Sequence, residues 1–216
     1  MIRIVIADDH AIVREGLAQL LASAADVTVA GTAKDGHEVM QRVRELEFDV
    51  LLLDMSMPGR SGIDLIKQVH DEKPRLRILV LSMHPEDQYA MRAIKAGASG
   101  YIMKDAATDL LLSAIRKVAG GGAFISAAAA EQFALASAHN GEGPPHKSLS
   151  DRELQVFELL VAGNSVTGIA DRLSLSVKTI STHKARIMQK MGMRNQTELI
   201  RYAIKYRLID ATEPPA

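Results

Sequence analysis

The stretch Leu51-Leu52-Leu53-Asp54-Met55-Ser56-Met57-Pro58-Gly59 runs from an apolar strand pattern into a carboxylate and then into a Pro-Gly turn. Val50 extends the apolar run backward, and an unbroken run of this kind fits a central strand buried on both faces. An ionised Asp at the end of such a strand is costly unless something offsets its charge. Asp54 therefore asks for a partner.

Outward from this stretch the chain alternates. Short β-branched, apolar runs occur at Ile2–Ala7, Val27–Ala33, Val50–Asp54, Ile78–Ser82 and Gly100–Lys104. Helical periodicity fills the gaps near Ala11–Ser23, His37–Leu46, Ile63–Glu72, Glu86–Ala96 and Thr108–Ala119, with Ile12, Leu17, Leu20 and Leu21 assigned to one face of the first helix. Five β–α units predict an α/β fold, a doubly wound parallel sheet with helices on both faces, over residues 1–122. Residues 123–147 change texture. "AAAAEQFALASA" suits one helix, and "HNGEGPPHK" reads as a linker rich in Gly and Pro. Residues 148–210 show no strand pattern and predict a small all-α domain, with helices at Asp151–Ala162, Val166–Leu173, Val177–Met191 and Gln196–Tyr206. Residues 211–216 form a tail. Ser150 and Glu153 mark a capping box at the first of these helices.

Composition excludes several classes. With no Cys, the chain has no disulfide, thiolate nucleophile or Cys-ligated zinc. Asp8 and Asp9 interrupt the apolar N-terminus, which argues against a signal peptide. The longest charge-free stretch, Val118 to Ala130, contains three glycines and is shorter than the ~20 apolar residues of a membrane span. A soluble, cytoplasmic protein is expected. Lys plus Arg and Asp plus Glu are both 26, yet the balance conceals an asymmetry. Lys178, Lys184, Arg186, Lys190 and Arg194 lie in a stretch with no acid, so a neutral whole carries a basic helix.

Ligands of an open parallel sheet bind at the carboxyl ends of its strands. Here the first strand runs into Asp8 and Asp9, the third ends in Asp54, the fourth in Ser82 and the fifth in Lys104. Taken singly, each is most simply a solvated turn residue, a cap or a surface charge. Together they place three carboxylates, a hydroxyl and an ammonium at one edge. An oxygen-only set suits Mg²⁺. A desolvated Asp flanked by Mg²⁺ and Lys is a plausible phosphoryl acceptor, since both cations neutralise charge on the phosphoryl oxygens.

These motifs, "IADDH", "LLLDMSMPG" and "GYIMK" in that order, resemble the receiver domain of bacterial response regulators. The whole chain resembles the NarL/FixJ family, whose receivers precede a LuxR-type helix-turn-helix domain. The resemblance implies a flavodoxin-like five-stranded receiver with Asp54 as phosphoacceptor. It also implies Asp9 as a direct Mg²⁺ ligand, Asp8 acting largely through water, and the backbone carbonyl of Ser56 as a further ligand. Ser82 and Tyr101 become the switch pair, and Lys104 the contact to a phosphoryl oxygen. The family often carries Pro after this lysine; here Asp105 follows. Ser56 and His84, two places after Asp54 and Ser82, are neither acidic nor amide-bearing, so slow self-dephosphorylation is expected.

In the C-terminal region, Val166–Leu173, a "SLS" turn and the basic Val177–Met191 have helix-turn-helix proportions, with the second helix destined for a DNA major groove. Val177, Ile180, Ile187 and Met191 are assigned to the core, and Lys178, Ser181, Thr182 and Ala185 to the opposite face. A solvated amphipathic helix would look the same in isolation. By the family resemblance, Ser181, Thr182 and Ala185 meet bases, while Lys178, Thr179, His183 and Lys184 contact the DNA backbone. Gly168 departs from the family pattern and is expected to permit a close helix approach. The expected partners are DNA, a cognate sensor histidine kinase and, on phosphorylation, a second copy of the chain. An enzymatic rival, a haloacid-dehalogenase-like phosphatase, needs an acid two residues after its nucleophile, and position 56 is Ser. The chain is therefore read as a phosphorylation-switched transcription regulator, not an enzyme beyond Mg²⁺-dependent self-phosphorylation and self-dephosphorylation.

Overall fold

The computed structural model describes residues 1–57, 62–83, 86–127, 129–131, 144–173, 175–206 and 208. The chain divides into two compact units, Met1–Asn140 and Gly141–Ala216.

The first unit is built on five parallel strands: β1 (Ile2–Ala7), β2 (Val27–Ala33), β3 (Val50–Asp54), β4 (Arg77–Ser82) and β5 (Gly100–Met103), in the order β2-β1-β3-β4-β5. Between and after them run α1 (Ala11–Ala22), α2 (Gly36–Glu45), α3 (Gly62–Glu72), α4 (Glu86–Lys95) and α5 (Thr108–Ala119). This is the flavodoxin-like doubly wound topology, whose switch point lies between β1 and β3. All five residues of β3 are buried, as its unbroken apolar run requires. Ile4, Ile6, Leu52, Leu79, Leu81 and Ile102 point to one side of the sheet and pack with Leu21, Leu111, Ile115 and Val118. The alternate residues Val5, Leu51, Leu53 and Val80 are equally buried and face the other side.

Register sets the site. Ala7 pairs with Leu53, Asp54 with Leu81 and Ser82 with Met103. Asp8, Asp54, Ser82 and Lys104 therefore emerge from four neighbouring strands at one edge. At the opposite end of β5, Gly97 turns the chain with a φ of +111°, and a Cβ there would lie 2.6 Å from the His70 ring. Beyond Gly122, Phe124 adds a parallel bridge to Gly100: its N–H donates to Ser99 O, and its carbonyl accepts from Tyr101 N–H at 2.8 Å. The helix expected over the alanine run begins as Ser126 Oγ accepts from Ala129 N–H at 3.1 Å. Most of that helix, and the linker through Gly143, lie outside the described residues.

The second unit contains a 3₁₀ turn (Pro145–Ser148) and then α6 (Asp151–Val161), α7 (Val166–Arg172), α8 (Val177–Met191) and α9 (Gln196–Lys205). The capping box is present in full, with Ser150 and Glu153 bonded to each other's backbone N–H. Ser165, Ser176 and Asn195 cap the following helices through their side chains. Gly192 ends α8 in the left-handed conformation. Phe157, Leu160, Ile169, Ile180, Ile187 and Leu199 are all fully buried in this unit.

Three sequence expectations need correction. Ile12 is 85% exposed and does not share the buried face of α1. It stands nine residues from the buried Leu21, about 180° round a helix of 3.6 residues per turn. Val177 is half exposed. It occupies the first position of α8, about 60° round from Ile180. Gly168 admits no close helix, because a Cβ there would meet only its own cap, Ser165 Oγ, at 3.3 Å.

Candidate functional site

Asp8 and Asp54 are each only 1% exposed, and Ser82 is fully buried. Lys104, carried by the turn after β5, is held there by its N–H donating to Ser82 O. Its ammonium reaches back into the sheet edge, 2.7 Å from Asp8 Oδ2 and 3.0 Å from Asp54 Oδ2. The Ser56 N–H donates to Asp54 Oδ1 at 3.1 Å, and the His10 N–H donates to Asp8 Oδ1 at 2.8 Å. Arg14, one turn into α1, donates from its guanidinium to the Asp8 carbonyl at 2.7 Å. These bonds aim both buried carboxylates into the crevice at the switch point.

The electrostatics are unbalanced. Burial pushes the Asp54 carboxyl above the usual carboxylate range, although the Ser56 N–H and Lys104 pull the other way. Burial also works against the Lys104 charge, but Asp8 and Asp54 outweigh it and raise its pKa. Asp8, Asp9, His10 and Asp54 each offer a ligand atom, and these atoms all lie within 4.8 Å of one another. One ammonium among three carboxylates leaves room for a divalent cation. Asp9 Oδ1 and Asp54 Oδ2 are buried atoms that accept no well-aligned hydrogen bond among the described residues, although His10 Nδ1 lies 2.9 Å from the first and Lys104 Nζ 3.0 Å from the second. One ammonium does not neutralise three carboxylates, and the remaining negative charge is costly to bury unless a further cation offsets it. The donor set fits a hard divalent metal.

Tyr101, on the same strand as the lysine turn, is buried with its ring inside the unit. The Lys104–Asp105 peptide is trans. His84 lies outside the described residues, so the expectation attached to it has no structural counterpart.

The second candidate site is α8. Lys178, Ser181, Thr182 and Ala185 form an exposed strip, as the helical spacing predicts. The Ser181 and Thr182 hydroxyls donate to the carbonyls of Val177 and Lys178, both at 2.9 Å, leaving their lone pairs outward as acceptors. Thr179, His183 and Lys184 are only partly exposed. Thr179 shares a 2.8 Å hydrogen bond with Ser176 Oγ. Lys184 donates to Gln196 Oε1 at 3.0 Å, and Gln196 in turn donates to Leu160 O. His183 Nδ1 is buried with no partner among the described residues; burial and the neighbouring Arg152 lower its pKa.

Sequence reasoning passed over Gln196, which orients Lys184, and Arg14, which braces Asp8. It read Glu153 as a cap only, yet Glu153 also accepts from Lys190 at 2.6 Å. His10 was in view beside the acid pair, but its imidazole contact with both acids appears only in three dimensions.

Among the described residues, no helix is long and apolar enough to cross a membrane. Residues 4–116 match the response regulator receiver domain, and residues 147–203 match the luxR family of bacterial regulatory proteins. The oxygen regulatory protein NreC of Staphylococcus aureus is 39% identical over 215 residues, covering 96% of this chain and 99% of that one. Among solved structures, RcsB of Salmonella enterica serovar Typhimurium, bound to promoter rprA in the presence of the phosphomimetic BeF3-, is similar with a TM-score of 0.68 and 31% identity. That match covers 94% of this chain and 98% of RcsB. A LuxR-family response regulator from Aurantimonas is 32% identical with a TM-score of 0.58, covering 63% of this chain and 98% of its own. A buried acidic crevice on a flavodoxin-like sheet, followed by a capped helix-turn-helix, thus has a definite kinship: the chain belongs to the NarL/FixJ family of response regulators, joining a receiver domain to a LuxR-type DNA-binding domain.

Proposed function

We propose that Asp54 accepts a phosphoryl group from a sensor histidine kinase, and that this modification promotes pairing of two copies on DNA to regulate transcription. The observation that carries the reading is the convergence of Asp8, Asp54 and Lys104 within hydrogen-bonding distance at the carboxyl edge of the sheet.

In this reading Asp8, Asp9, Asp54 and the Ser56 carbonyl hold Mg²⁺, which when bound neutralises charge on the phosphoryl oxygens. An Asp54 oxygen attacks phosphorus and forms an acyl phosphate, while the bond to the donor breaks and its electron pair leaves with the donor. The Ser56 N–H and the Lys104 ammonium hold the Asp54 carboxylate in place at the sheet edge for this attack. The Lys104 ammonium, already paired with Asp54, then faces a phosphoryl oxygen. Ser82, one strand away, turns its hydroxyl toward the same group, and the Tyr101 ring follows. Ser56 offers no acid or amide to orient an attacking water, which supports a long-lived phosphoaspartate.

For the organisation of the chain we propose a receiver at residues 1–122, a linker with a helix at 123–147, a DNA-binding domain at 148–210 and a tail at 211–216. The exposed strip of α8 enters the major groove. Ser181, Thr182 and Ala185 read base edges, a methyl and two hydroxyls being suited to thymine and to mixed donors and acceptors. Lys178, Thr179, His183 and Lys184 lie toward the DNA backbone. That RcsB has been solved bound to promoter DNA supports this reading.

The test is labelling with acetyl phosphate and Mg²⁺, followed by mass spectrometry. One phosphoryl group on Asp54 is expected, none on Asp54→Asn, and sharply less on Asp9→Ala. Full labelling of Asp54→Asn would falsify the assignment.

A further inference from the structure

His10 is the member of the acidic crevice that the receiver chemistry does not use. Its backbone N–H is already committed to Asp8 Oδ1, which fixes the residue at the mouth of the site. Its imidazole Nδ1 lies 2.9 Å from Asp9 Oδ1 and 3.3 Å from Asp8 Oδ1. Metal–ligand bonds of about 2.0–2.2 Å place neighbouring donors of one ion roughly 2.8–3.5 Å apart, for octahedral or tetrahedral arrangements. Both distances fall in that range, and the ligand atoms of Asp8, Asp9, His10 and Asp54 all lie within 4.8 Å of one another, close enough to converge on one ion. The 1%-exposed Asp54 aims its Oδ2, which also lies 3.0 Å from Lys104 Nζ, into the same space.

We propose that His10 is a nitrogen ligand that gives the crevice a preference for borderline transition ions such as Mn²⁺ or Co²⁺ over Mg²⁺. The inference rests on reading Asp8, Asp9 and Asp54 as the metal centre. Three carboxylates alone make a hard, all-oxygen site that Mg²⁺ fills, keeping several of its waters. A neutral imidazole adds little for Mg²⁺ but much for later first-row ions, whose affinity for nitrogen rises along the series. With 67% of its side chain exposed, His10 can swing onto the ion or away from it without disturbing the core. The consequence is a receiver whose loading depends on which divalent ion is abundant.

The test uses the full chain and the metals alone. Calorimetric titrations with MgCl₂ and CoCl₂ are compared for the native protein, His10→Ala and Asp9→Asn. Electron spin-echo spectra of the Mn²⁺-loaded protein report directly on nitrogen coordination. The expected result is a Co²⁺-to-Mg²⁺ affinity ratio that falls at least ~tenfold in His10→Ala while Mg²⁺ affinity barely changes. Nitrogen modulation should be present in the native protein, absent in His10→Ala and retained in His37→Ala. An unchanged ratio with no nitrogen modulation, in a protein that still binds Mg²⁺, overturns the role of His10 alone. Failure of the native protein to bind either ion at millimolar concentration overturns the metal centre itself, and this inference with it.

Discussion

Glu153 and Lys190 meet at 2.6 Å, tying the first turn of α6 to the last turn of α8. Glu153 is nearly buried, whereas Lys190 is two-fifths exposed. Burial alone would raise the Glu153 pKa, but the Lys190 ammonium and the Ser150 N–H and hydroxyl outweigh it and hold the carboxyl below its ordinary value. Because the folded value is the lower one, the stabilisation is present above the ordinary glutamate pKa. It is lost as pH falls through the depressed value. Glu153→Gln should therefore cost about 1–2 kcal/mol at neutral pH. It should also flatten the acid limb of a urea-midpoint profile between pH 6 and roughly pH 3. A variant with the same midpoint and the same acid limb would show the pair to be energetically idle.

Lys104 holds apart two carboxylates that would otherwise repel. Replacing it by Met leaves Asp8 and Asp54 without their shared cation in a site where both are 1% exposed. A loss of about 1–3 kcal/mol is expected in metal-free buffer. Adding Mg²⁺ should restore more of the melting temperature in Lys104→Met than in the native protein, since a ligand stabilises in proportion to its binding. Equal Mg²⁺-induced shifts in the two proteins would count against a shared electrostatic site.

On α8 the structure separates two lysines that the sequence treats alike. Lys178 is exposed, while Lys184 is bonded to Gln196. Lys178→Ala should weaken binding to all DNA sequences and reduce the slope of log affinity against log salt by about 0.9, the value for one lost phosphate contact. Thr182→Ala should instead leave the slope unchanged and alter the ranking of sites. Gel-shift titrations at several salt concentrations decide between these outcomes, and a salt-slope change in Thr182→Ala would remove it from the base-reading set.

Gly168 sits in the first turn of a seven-residue helix, where an added Cβ would meet only Ser165 Oγ, at 3.3 Å. Gly168→Ala should stabilise the second unit by about 0.5–1 kcal/mol through helix propensity and a less flexible unfolded chain. The Ser165 hydroxyl, which accepts from the Gly168 N–H at 3.1 Å, need yield only a few tenths of an ångström. A destabilised variant in chemical denaturation would show that the cap cannot accommodate the methyl.

What could be read in the sequence follows from how local its causes are. Asp54 was legible because a strand buried on both faces has no other reason to end in an acid, and Lys104 because its strand ends beside it. The capping box of Ser150 and Glu153 is decided within four residues of chain. Ile12 was misread because apolar character was grouped without following the angle round the helix to Leu21. The Lys184–Gln196 and Glu153–Lys190 pairs were invisible for another reason: their partners are separated by 12 and 37 residues. Only the packed helices bring them together.

The bridge between Phe124 and Gly100 bears on where the receiver unit's sheet ends. Phe124 is stitched to the outer strand on both sides, through Ser99 and through the backbone of Tyr101 itself. The chain therefore leaves the sheet edge only after Phe124, and Gly120–Gly122 form a closed turn rather than slack. Proline at position 124 would remove the stitching N–H. Because the Tyr101 backbone is one of its two anchor points, any displacement of that strand edge pulls directly on Phe124 and on the segment that follows it.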